Sequence, residues 1–548
     1  MSGPFPFDVV LVANRGEIAV RILRALEELG VAGVAVYSQS DRDALHAARA
    51  SEAYLLEGAS AADGYLDIEQ ILAVVRRCGA QAIHPGYGFL AENAAFAAAC
   101  AQAGIVFIGP PASAIEAMGS KTRARELMAA AGVPIVPGTT ELVTSVAEAK
   151  KLIADGIGYP VAVKAAGGGG GKGFRVAVRS AELKDAFEGA AREGERFFGD
   201  ASVYLERYLP DPRHIEVQVL ADSHGAVVHL GERDCSIQRR HQKLIEESPA
   251  APWIVDAELR ERIGAIATEA ARAVGYQGAG TVEGLLAGDG EYFFLEMNTR
   301  VQVEHCVTEM TTGIDIVKTG IRVAAGEPLP FTQDEVRLSG HAIECRINAE
   351  DASRRFMPTP GRISSYREPS GPGVRVDSGV GAGSEISPSY DPMVAKLIVW
   401  DRDRESATRR MLRALREFEI GGLTTLLPFH ERLLETGQWA RAETCRDLID
   451  DDAWLAGTAS DAGPPAEEPD AALVSDYTVE VAGRRFQVRV SGRPGEHALA
   501  SAPTASPRPT RSRRERAATS TATGDELRSP MQGTVLKIAV AAGDRRAD

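Results

Sequence analysis

Residues 280–298 read GTVEGLLAGDGEYFFLEMN, and this stretch carries the strongest signal for the fold. Asp289-Gly290 lies between two apolar runs, which indicates a β-hairpin with a two-residue turn. Pairing outward from that turn sets Glu283 directly opposite Glu296. Like charges that face each other on a sheet are unfavourable, and a divalent cation with oxygen ligands is a common bridge between them. The hairpin therefore predicts a metal site, to which Asn298 adds an oxygen on the same face.

The simpler interpretation of this hairpin is a solvated face with two incidental glutamates. The continuation TRVQVEH favours a site, because it places the polar side chains of Arg300, Gln302 and Glu304 at alternate positions. A fully extended chain would separate Glu296 from Glu304 by ~26 Å, which is too far for one reaction centre. The chain must therefore bend if both glutamates belong to one site.

A glycine run follows a predicted strand in residues 161–173, VAVKAAGGGGGKG. Consecutive glycines leave backbone N–H groups free to wrap a phosphate, and Lys164 adds positive charge at the base of the loop. A glycine run alone is equally typical of a flexible hinge. The lysine and the later carboxylates favour a nucleotide site.

A second polar stretch occupies residues 232–243, ERDCSIQRRHQK. Its charge argues against a core strand, and the plain interpretation is an exposed loop rich in salt bridges. The functional interpretation is that Gln238, His241 and Lys243 line a pocket for an anionic substrate and a nucleotide. Lys121 and His214 carry the same ambiguity, since a lone lysine or histidine usually belongs to the surface or to a satisfied core.

The remaining composition limits the class of protein. Strands and helices alternate from Asp8, which predicts a parallel sheet covered by helices, but the first turn, residues 13–17, lacks the G-x-G-x-x-G of dinucleotide enzymes. The net charge of −15 argues against nucleic-acid and anionic-membrane partners. No secretion signal or run of ~18 apolar residues is present. Six cysteines without a CxxC pair fit a reducing compartment, so we expect a cytoplasmic protein.

Eight motifs together resemble the biotin carboxylase family. They occur in order between about Val9 and about Leu455, and the nearest resemblance is to the α-chains of bacterial acetyl-, propionyl- and longer acyl-CoA carboxylases. The motifs are ANRGEIAVRILRA from Ala13, HPGYGFLAEN from His84, IGPP, MGSK, the Lys164 glycine loop, ERDCSIQRRHQK, FFLEMNTRVQVEH and GHAIECRINAED.

The resemblance implies an α/β multidomain fold. We expect a Rossmann-like N-terminal domain at 1–118, an ATP-grasp domain at 119–327 whose mobile glycine-loop lid covers about 136–208, and an α+β C-terminal biotin carboxylase domain at 328–456. A linker at 457–528 would contain a short β-hairpin at about 476–490, where apolar and polar residues alternate around Ala482-Gly483. Residues 529–548 would begin a biotinyl carrier domain.

The resemblance also implies roles for individual positions. ATP would contact Lys121, Lys164, Gly167, Gly168, Gly169, Gly170, Gly171, Glu206, Leu209, His214, Gln238 and His241. The metal would be held by Glu283, Glu296 and Asn298, in agreement with the hairpin. Bicarbonate would contact Lys243, Arg300, Gln302, Val303 and Glu304. The catalytic set would be Glu304 as general base with Arg346, Lys243 and Arg300, and biotin would contact Tyr87 and Arg346.

The implied reaction carboxylates biotin by way of carboxyphosphate, as the first half-reaction of an acyl-CoA carboxylase. Its requirements would be ATP, two Mg²⁺ or Mn²⁺ ions and biotin on a carrier domain. The expected partners are that carrier domain, a carboxyltransferase β subunit and further copies of the chain.

Two positions depart from the family pattern. Cys306 stands where proline usually follows VEH, which frees a backbone dihedral beside the expected base Glu304. Gly284 replaces a common aromatic residue after Glu283, and the turn is one residue longer than in some relatives. A longer turn would shift the register of the hairpin, so the pairing of Glu283 with Glu296 depends on the length of the turn.

The C-terminal segment is the third departure. Residues 529–544, SPMQGTVLKIAVAAGD, resemble the opening strands of a biotinyl carrier domain, but the chain stops at Asp548 before the family's Met-Lys-Met attachment site. So short a segment cannot close a fold, since domains under ~40 residues rarely stand unaided. We expect that the sequence is truncated within the carrier domain. The alternative is that this chain carboxylates biotin on a separate carrier protein.

Two other functions stay open on the residues alone. Another ATP-grasp enzyme, such as a carbamoyl-phosphate or glycinamide-type ligase, would share Lys164, Glu283 and Glu296. A non-catalytic nucleotide-binding assembly subunit is conceivable because of Cys306 and the missing carrier lysine. The carrier-like tail favours biotin carboxylase over both.

Overall fold

The structure is a computed structural model that describes residues 5–58, 60–167, 173–459, 473–481 and 484–492. The chain divides into two units between Ala462 and Gly463, and each unit is considered by itself. The predicted phosphate-binding glycines 168–171, most of the linker and the carrier-like segment 529–548 lie outside the described residues.

The first unit begins with the parallel sheet that the alternation of strands and helices predicted. Val10 and Val12 pack with helix Gly16–Glu28 on one face, whereas Leu11 and Ala13 pack on the other face, as the two-residue period of a strand requires. In spatial order the strands are Glu52–Leu55, Ala32–Tyr37, Val9–Val12, Ala82–His84 and Val106–Phe107.

An eight-stranded antiparallel sheet forms the centre of the first unit. It runs without a break across the expected domain boundary at 327/328, because strand Gln242–Ser248 pairs with strand His341–Asn348. In spatial order its strands are Tyr292–Asn298, Gly278–Leu286, Arg213–Ala221, Val227–Arg239, Gln242–Ser248, His341–Asn348, Met393–Asp401 and Val374–Ser378.

The polar stretch 232–243 is not an exposed loop, so that interpretation was wrong. Residues Val227–Arg239 form a central strand of the eight-stranded sheet, and Arg233 within it has no exposed surface. Charged side chains are tolerated there because each finds a buried partner, as when Arg233 Nε donates to Glu216 Oε1 at 2.6 Å. The charge pattern reflects a polar interior.

The hairpin in residues 280–298 has the predicted pairing but reaches it by another route. The turn holds three residues, since the Ala287 N–H donates to the Glu291 carbonyl at 2.8 Å. That shift of one residue is cancelled by a β-bulge at Leu295, after which Glu283 pairs with Glu296. The predicted two-residue turn was wrong, and the opposition of the two glutamates is confirmed.

A three-stranded antiparallel sheet lies in the region expected to form the lid. Its central strand carries Lys164, and helix Leu183–Phe198 packs on it through Leu183, Phe187 and Ala190. In spatial order the strands are Phe174–Ala177, Val161–Ala165 and Val203–Arg207.

The other helices and strands cover these sheets. Among the described residues, no helix combines the length and the apolar character that crossing a membrane requires. The remaining helices are Leu45–Arg49, Ile68–Cys78, Ala94–Gln102, Ala112–Gly119, Lys121–Ala130, Val146–Leu152, Ala257–Ala273, His305–Thr312, Ile316–Ala324, Arg404–Glu417, Leu427–Leu434, Gly437–Ala440, Arg446–Asp450 and Asp452–Ala456. Short paired strands are Glu350–Asp351 with Met357–Pro358, Gly361–Arg362 with Glu385–Ile386, and Ser365–Arg367 with Glu419–Gly421.

The second unit contains one described element. Strands Leu473–Val481 and Arg484–Gly492 pair in antiparallel register from Leu473 with Gly492 to Val481 with Arg484. This is the hairpin expected at about 476–490, with both strands longer at their outer ends.

Gly284 is explained by the strand that faces it. A Cβ at this position would lie 2.2 Å from the Tyr292 ring, whose hydroxyl donates to the Ile215 carbonyl at 3.2 Å. The neighbouring strand thus supplies an aromatic ring over Gly284, which accounts for the missing aromatic residue at that position.

We predict that Gly284→Ala lowers the free energy of unfolding by about 1–3 kcal/mol, because the buried tyrosine ring must move. Gly288→Ala in the adjacent turn is the control, since a Cβ there meets no atom within 4 Å. Thermal unfolding of both variants measures the difference. Equal midpoints would show that the ring does not constrain Gly284.

Candidate active site

A cavity of about 630 Å³ is lined by residues of both the three-stranded and the eight-stranded sheets. It brings together most positions to which the resemblance assigned a role. Those that line it are Lys121, Lys164, Glu206, Leu209, His214, Gln238, His241, Lys243, Glu283, Glu296, Asn298, Arg300, Gln302, Val303, Glu304 and Arg346.

Two described positions with an expected role are not among the lining residues. The Tyr87 hydroxyl donates to the Glu17 carboxylate. Gly167 lies at the start of the glycine loop, whose next four glycines lie outside the described residues. The expected biotin contact of Tyr87 stays a prediction.

Lys243 is the centre of the cavity wall. Its Nζ donates to Glu216, to Glu283 Oε1 at 2.9 Å and to Glu304 Oε1 at 2.5 Å. Burial would lower the pKa of Lys243, but these three carboxylates raise it well above its usual value. The side chain is therefore an ammonium ion that joins the hairpin glutamate Glu283 to the expected base Glu304.

The chain bends between the hairpin and the expected base, as the length argument required. The strand ends at Asn298, and Glu304 immediately precedes helix His305–Thr312. Burial would raise the pKa of Glu304, but the positive charge of Lys243 lowers it, and the resulting pKa is below its usual value. Glu304 is thus ionised and able to accept a proton.

The oxygen atoms of Glu283, Glu296 and Asn298 fit a hard divalent cation. Glu283 and Glu296 pair across the hairpin, and both line the cavity. Asn298 Oδ1 accepts from Arg300 Nη2 at 3.1 Å, while Asn298 Nδ2 is buried without a hydrogen-bond partner. A half-turn of that amide would present its oxygen in place of the unpartnered nitrogen. Carboxylate and amide oxygens are the ligands that Mg²⁺ and Mn²⁺ prefer.

His214 adds a second cation to this wall. Its Nε2 lies 3.1 Å from Glu283 Oε2. Burial would lower the pKa of His214, but the charge of Glu283 raises it to about 9. At neutral pH the wall therefore carries an imidazolium beside the Lys243 ammonium, which suits an anionic ligand.

The opposite end of the cavity is built around Glu206. This buried carboxylate accepts from Lys164 and from Arg125. Burial would raise the pKa of Glu206, but Lys164 and Arg125 lower it. Lys164 is thereby held at the base of the glycine loop.

His241 reaches the cavity from a tight hairpin turn. Arg239 pairs with Gln242, so Arg240 and His241 form the turn with φ angles of 48° and 69°. Residues with a side chain rarely adopt this left-handed region, and such conformations cluster at functional sites.

The residues expected to contact bicarbonate, and Arg346 beside them, are held by hydrogen bonds and ion pairs. Arg300 Nε pairs with Glu92 Oε2 at 3.0 Å, and Gln302 Nε2 donates to Glu283 Oε1 at 2.6 Å. Arg346 Nη2 donates to Glu304 Oε2 at 3.0 Å. Both oxygens of Glu304 are therefore held by cations.

Four buried residues of the site were missed from the sequence: Arg125, Glu216, Arg233 and Glu246. Arg233 donates to five side chains, which are Glu216, Gln218, Thr281, Gln302 and Thr308. The alternation of polar and apolar residues in HIEVQV from His214 was a signal, since it places Glu216 and Gln218 on the face of His214. Arg125 and Glu246 carry no such local signal.

Cys306 is compatible with the site. It lies in the first turn of helix His305–Thr312, where the backbone N–H of a residue has no intrahelical acceptor and proline is equally accommodated. Its buried Sγ lies 3.2 Å from both Asp377 Oδ2 and Lys396 Nζ. The thiol is thus enclosed by polar partners. Cysteine in place of proline at position 306 does not require a different backbone beside Glu304.

Family comparisons agree with this geometry. The biotin carboxylase N-terminal domain matches residues 6–115, the ATP binding domain of the carbamoyl-phosphate synthase L chain matches 120–332, and the biotin carboxylase C-terminal domain matches 344–451. The ATP-binding model takes its name from carbamoyl-phosphate synthase, whereas both flanking models take theirs from biotin carboxylase.

Individual relatives point the same way. Biotin carboxylase 1 of Bacillus subtilis is 53% identical over 78% of this chain and 94% of its own. The biotin-dependent acyl-coenzyme A carboxylase alpha3 subunit of Mycobacterium leprae is 45% identical over 97% of this chain and 90% of its own.

A solved structure of similar fold is the biotin carboxylase domain dimer of 2-oxoglutarate carboxylase from Hydrogenobacter thermophilus, in complex with MgADP, ADP and bicarbonate. It has a TM-score of 0.77 and 48% identity, and the match covers 80% of this chain and 96% of that one. With a fold, a cavity and relatives in agreement, the chain belongs to the biotin carboxylase family.

Proposed function

We propose that this chain carboxylates biotin on a carrier domain, with ATP and bicarbonate as co-substrates, as the first half-reaction of an acyl-CoA carboxylase. The observation that carries this proposal is the single ammonium of Lys243, which contacts both Glu283 of the acidic hairpin pair and Glu304. This contact supports a nucleotide site and a proton acceptor within one cavity. The activity of the relatives supports the assignment.

In the first step Glu304 removes the proton of bicarbonate, whose oxygen then attacks the γ-phosphate of ATP to give carboxyphosphate and ADP. Two anions must approach each other, and Lys243, Arg300 and His214 offset that repulsion. Gln302 and the Val303 backbone complete the bicarbonate contacts in this proposal.

The nucleotide would occupy the part of the cavity between Lys164 and the hairpin. Its expected contacts are Lys121, Lys164, Glu206, Leu209, His214, Gln238, His241 and the glycine loop. Glu283, Glu296 and Asn298 would hold Mg²⁺ or Mn²⁺, which when bound neutralises phosphate charge. The three-stranded sheet with its loop would act as a lid that excludes water.

In the second step carboxyphosphate would release CO₂ and phosphate, and the phosphate would take the proton from biotin N1′. Arg346 would stabilise the enolate-like ureido oxygen of biotin by donating hydrogen bonds, and the deprotonated N1′ would then attack CO₂ to form carboxybiotin. A biotin contact of Tyr87 stays a prediction.

The relatives are subunits or domains of larger carboxylases, so we propose partners of the same kind. These are a biotin carrier domain, a carboxyltransferase β subunit and a second copy of this chain. The Mycobacterium leprae relative supports an acyl-CoA carboxylase, and the Hydrogenobacter thermophilus dimer supports self-association. The six free cysteines support a reducing, cytoplasmic setting.

The test of the proposed function is ADP release with ATP, bicarbonate and free biotin, each omitted in turn. We expect release to require bicarbonate and to rise with biotin. Bicarbonate-dependent release without any effect of biotin would favour another ATP-grasp ligase, and no release would favour a nucleotide-binding subunit.

We predict that Glu304→Gln binds ATP with unchanged affinity and loses at least about 100-fold of its bicarbonate-dependent turnover, because the amide cannot accept the proton. Nucleotide binding by calorimetry and ADP release measure the two effects. Glu309→Gln, on the same helix but directed to Arg21 and Arg375, controls for the loss of a buried carboxylate. Normal turnover of Glu304→Gln would remove this residue from the base role.

We predict that Lys243→Met destabilises the protein by about 3–5 kcal/mol at pH 8, because three carboxylates lose a buried counter-ion. Lys243 lowers the pKa values of Glu216, Glu283 and Glu304, so these groups take up protons more readily in the variant. The deficit should therefore shrink as the pH falls from 8 towards 5.

Thermal unfolding of the wild type and of the Lys243 variant at pH 8 and pH 5 measures this deficit. Lys318→Met is the matched control, since its partner Glu28 is largely exposed and such pairs contribute less than about 1 kcal/mol. A deficit of Lys243→Met that does not change with pH would contradict the account.

A further inference from the structure

The face of the central sheet behind Glu304 is charged and buried. Glu246 pairs with Glu344 across neighbouring strands, and Arg346 pairs with Lys396 across the next pair. Glu246, Glu344 and Lys396 have no exposed surface. Neither the proposed reaction nor the sequence assigned a role to the two glutamates.

The two glutamates differ in what they bind. Glu246 Oε1 accepts from Arg346 Nε at 2.6 Å and contacts Arg346 Nη2 at 2.5 Å. Glu344, directly opposite, has two buried oxygens without a hydrogen-bond partner. The fold therefore offers a matched pair of buried carboxylates, of which one holds Arg346 and the other does not.

Glu246 leaves one terminal nitrogen of the guanidinium free. Arg346 Nη2, which contacts Glu246, also donates a hydrogen bond of 3.0 Å to Glu304 Oε2, and Nη1 makes none within the part of the chain that the structure describes. Arg346 lines the cavity. Its uncommitted N–H groups are thus available to a ligand there.

Without Glu246, Glu304 would be the one carboxylate among the described residues to which Arg346 already donates a hydrogen bond. Arginine and carboxylate groups favour two parallel hydrogen bonds, so Arg346 would turn and take Glu304 with two nitrogens. After that turn Nη1 would bind Glu304 and would no longer be free for biotin. The guanidinium would also block access to Glu304. Glu246 prevents this turn by holding the Nε edge.

We propose that Glu246 is a positioning residue that fixes Arg346 for the biotin ureido oxygen and keeps it from closing on Glu304. This inference rests on the proposed function. Glu246 itself touches no reacting atom, because Arg346 lies between it and the cavity.

The test uses Glu246→Met, which keeps the volume and removes the acceptor, with Glu344→Met as the control at the opposed position. Assays are run at pH 8, because burial raises the pKa of Glu246 to about 7 and the wild-type carboxyl is ionised above that value. We expect Glu246→Met to lower kcat/KM for free biotin roughly 100-fold, as misplaced catalytic groups do. KM for ATP should stay within about twofold of the wild-type value, since neither Glu246 nor Arg346 is among the expected ATP contacts.

Glu246→Gln supplies a rescue, because its amide oxygen still accepts from Arg346 Nε. We expect it to recover most of the lost biotin rate, and Glu344→Met to remain within about threefold of wild type. Equal losses in Glu246→Met and Glu344→Met, or no rescue by glutamine, would indicate a structural role and overturn the proposal.

A crystal structure of Glu246→Met separates this proposal from the proposed function. We expect two hydrogen bonds between Arg346 and Glu304, and an unmoved guanidinium would overturn the inference whatever the kinetics. Wild-type enzyme whose ADP release ignores biotin would instead overturn the proposed function, and the arginine geometry would still test the role of Glu246.

Discussion

The site depends on one buried ammonium group that contacts three carboxylates. Lys243 contacts Glu216, Glu283 and Glu304, which arrive on two strands and at the start of a helix. Three acids could not share this interior without a cation, because the cost of burying each charge would force protonation. The lysine thus keeps the expected metal ligand and the expected base ionised together.

The same principle organises the layers behind the cavity. Arg233 fixes Glu216 from the opposite side, and Arg125 fixes Glu206 beneath Lys164. Several cavity-lining groups are thus held by buried partners of opposite charge, which fixes their positions. The eight-stranded sheet consequently carries a buried network of charged and polar side chains, with apolar clusters packed around it.

Local patterns in the sequence foretold the local features. Strand and helix alternation predicted the N-terminal parallel sheet, and the opposed glutamates followed from pairing around Asp289-Gly290. The stretch 232–243 was misjudged because its partners come from remote segments, such as Thr308 for Arg233, and a single sequence does not display such contacts. Arg125 and Glu246 were missed for the same reason. The motif resemblance supplied most cavity-lining positions, and the biotin contact that it implies for Tyr87 stays a prediction.

The bulge at Leu295 has a consequence for how this family can vary. An added residue in the hairpin turn would normally rotate every later side chain to the opposite face of the strand. Here the bulge between the turn and Glu296 compensates for the extra turn residue, so Glu283 and Glu296 remain paired on the same face. Turn length and ligand placement are therefore separable, and natural selection is free to alter one while the other stays constant.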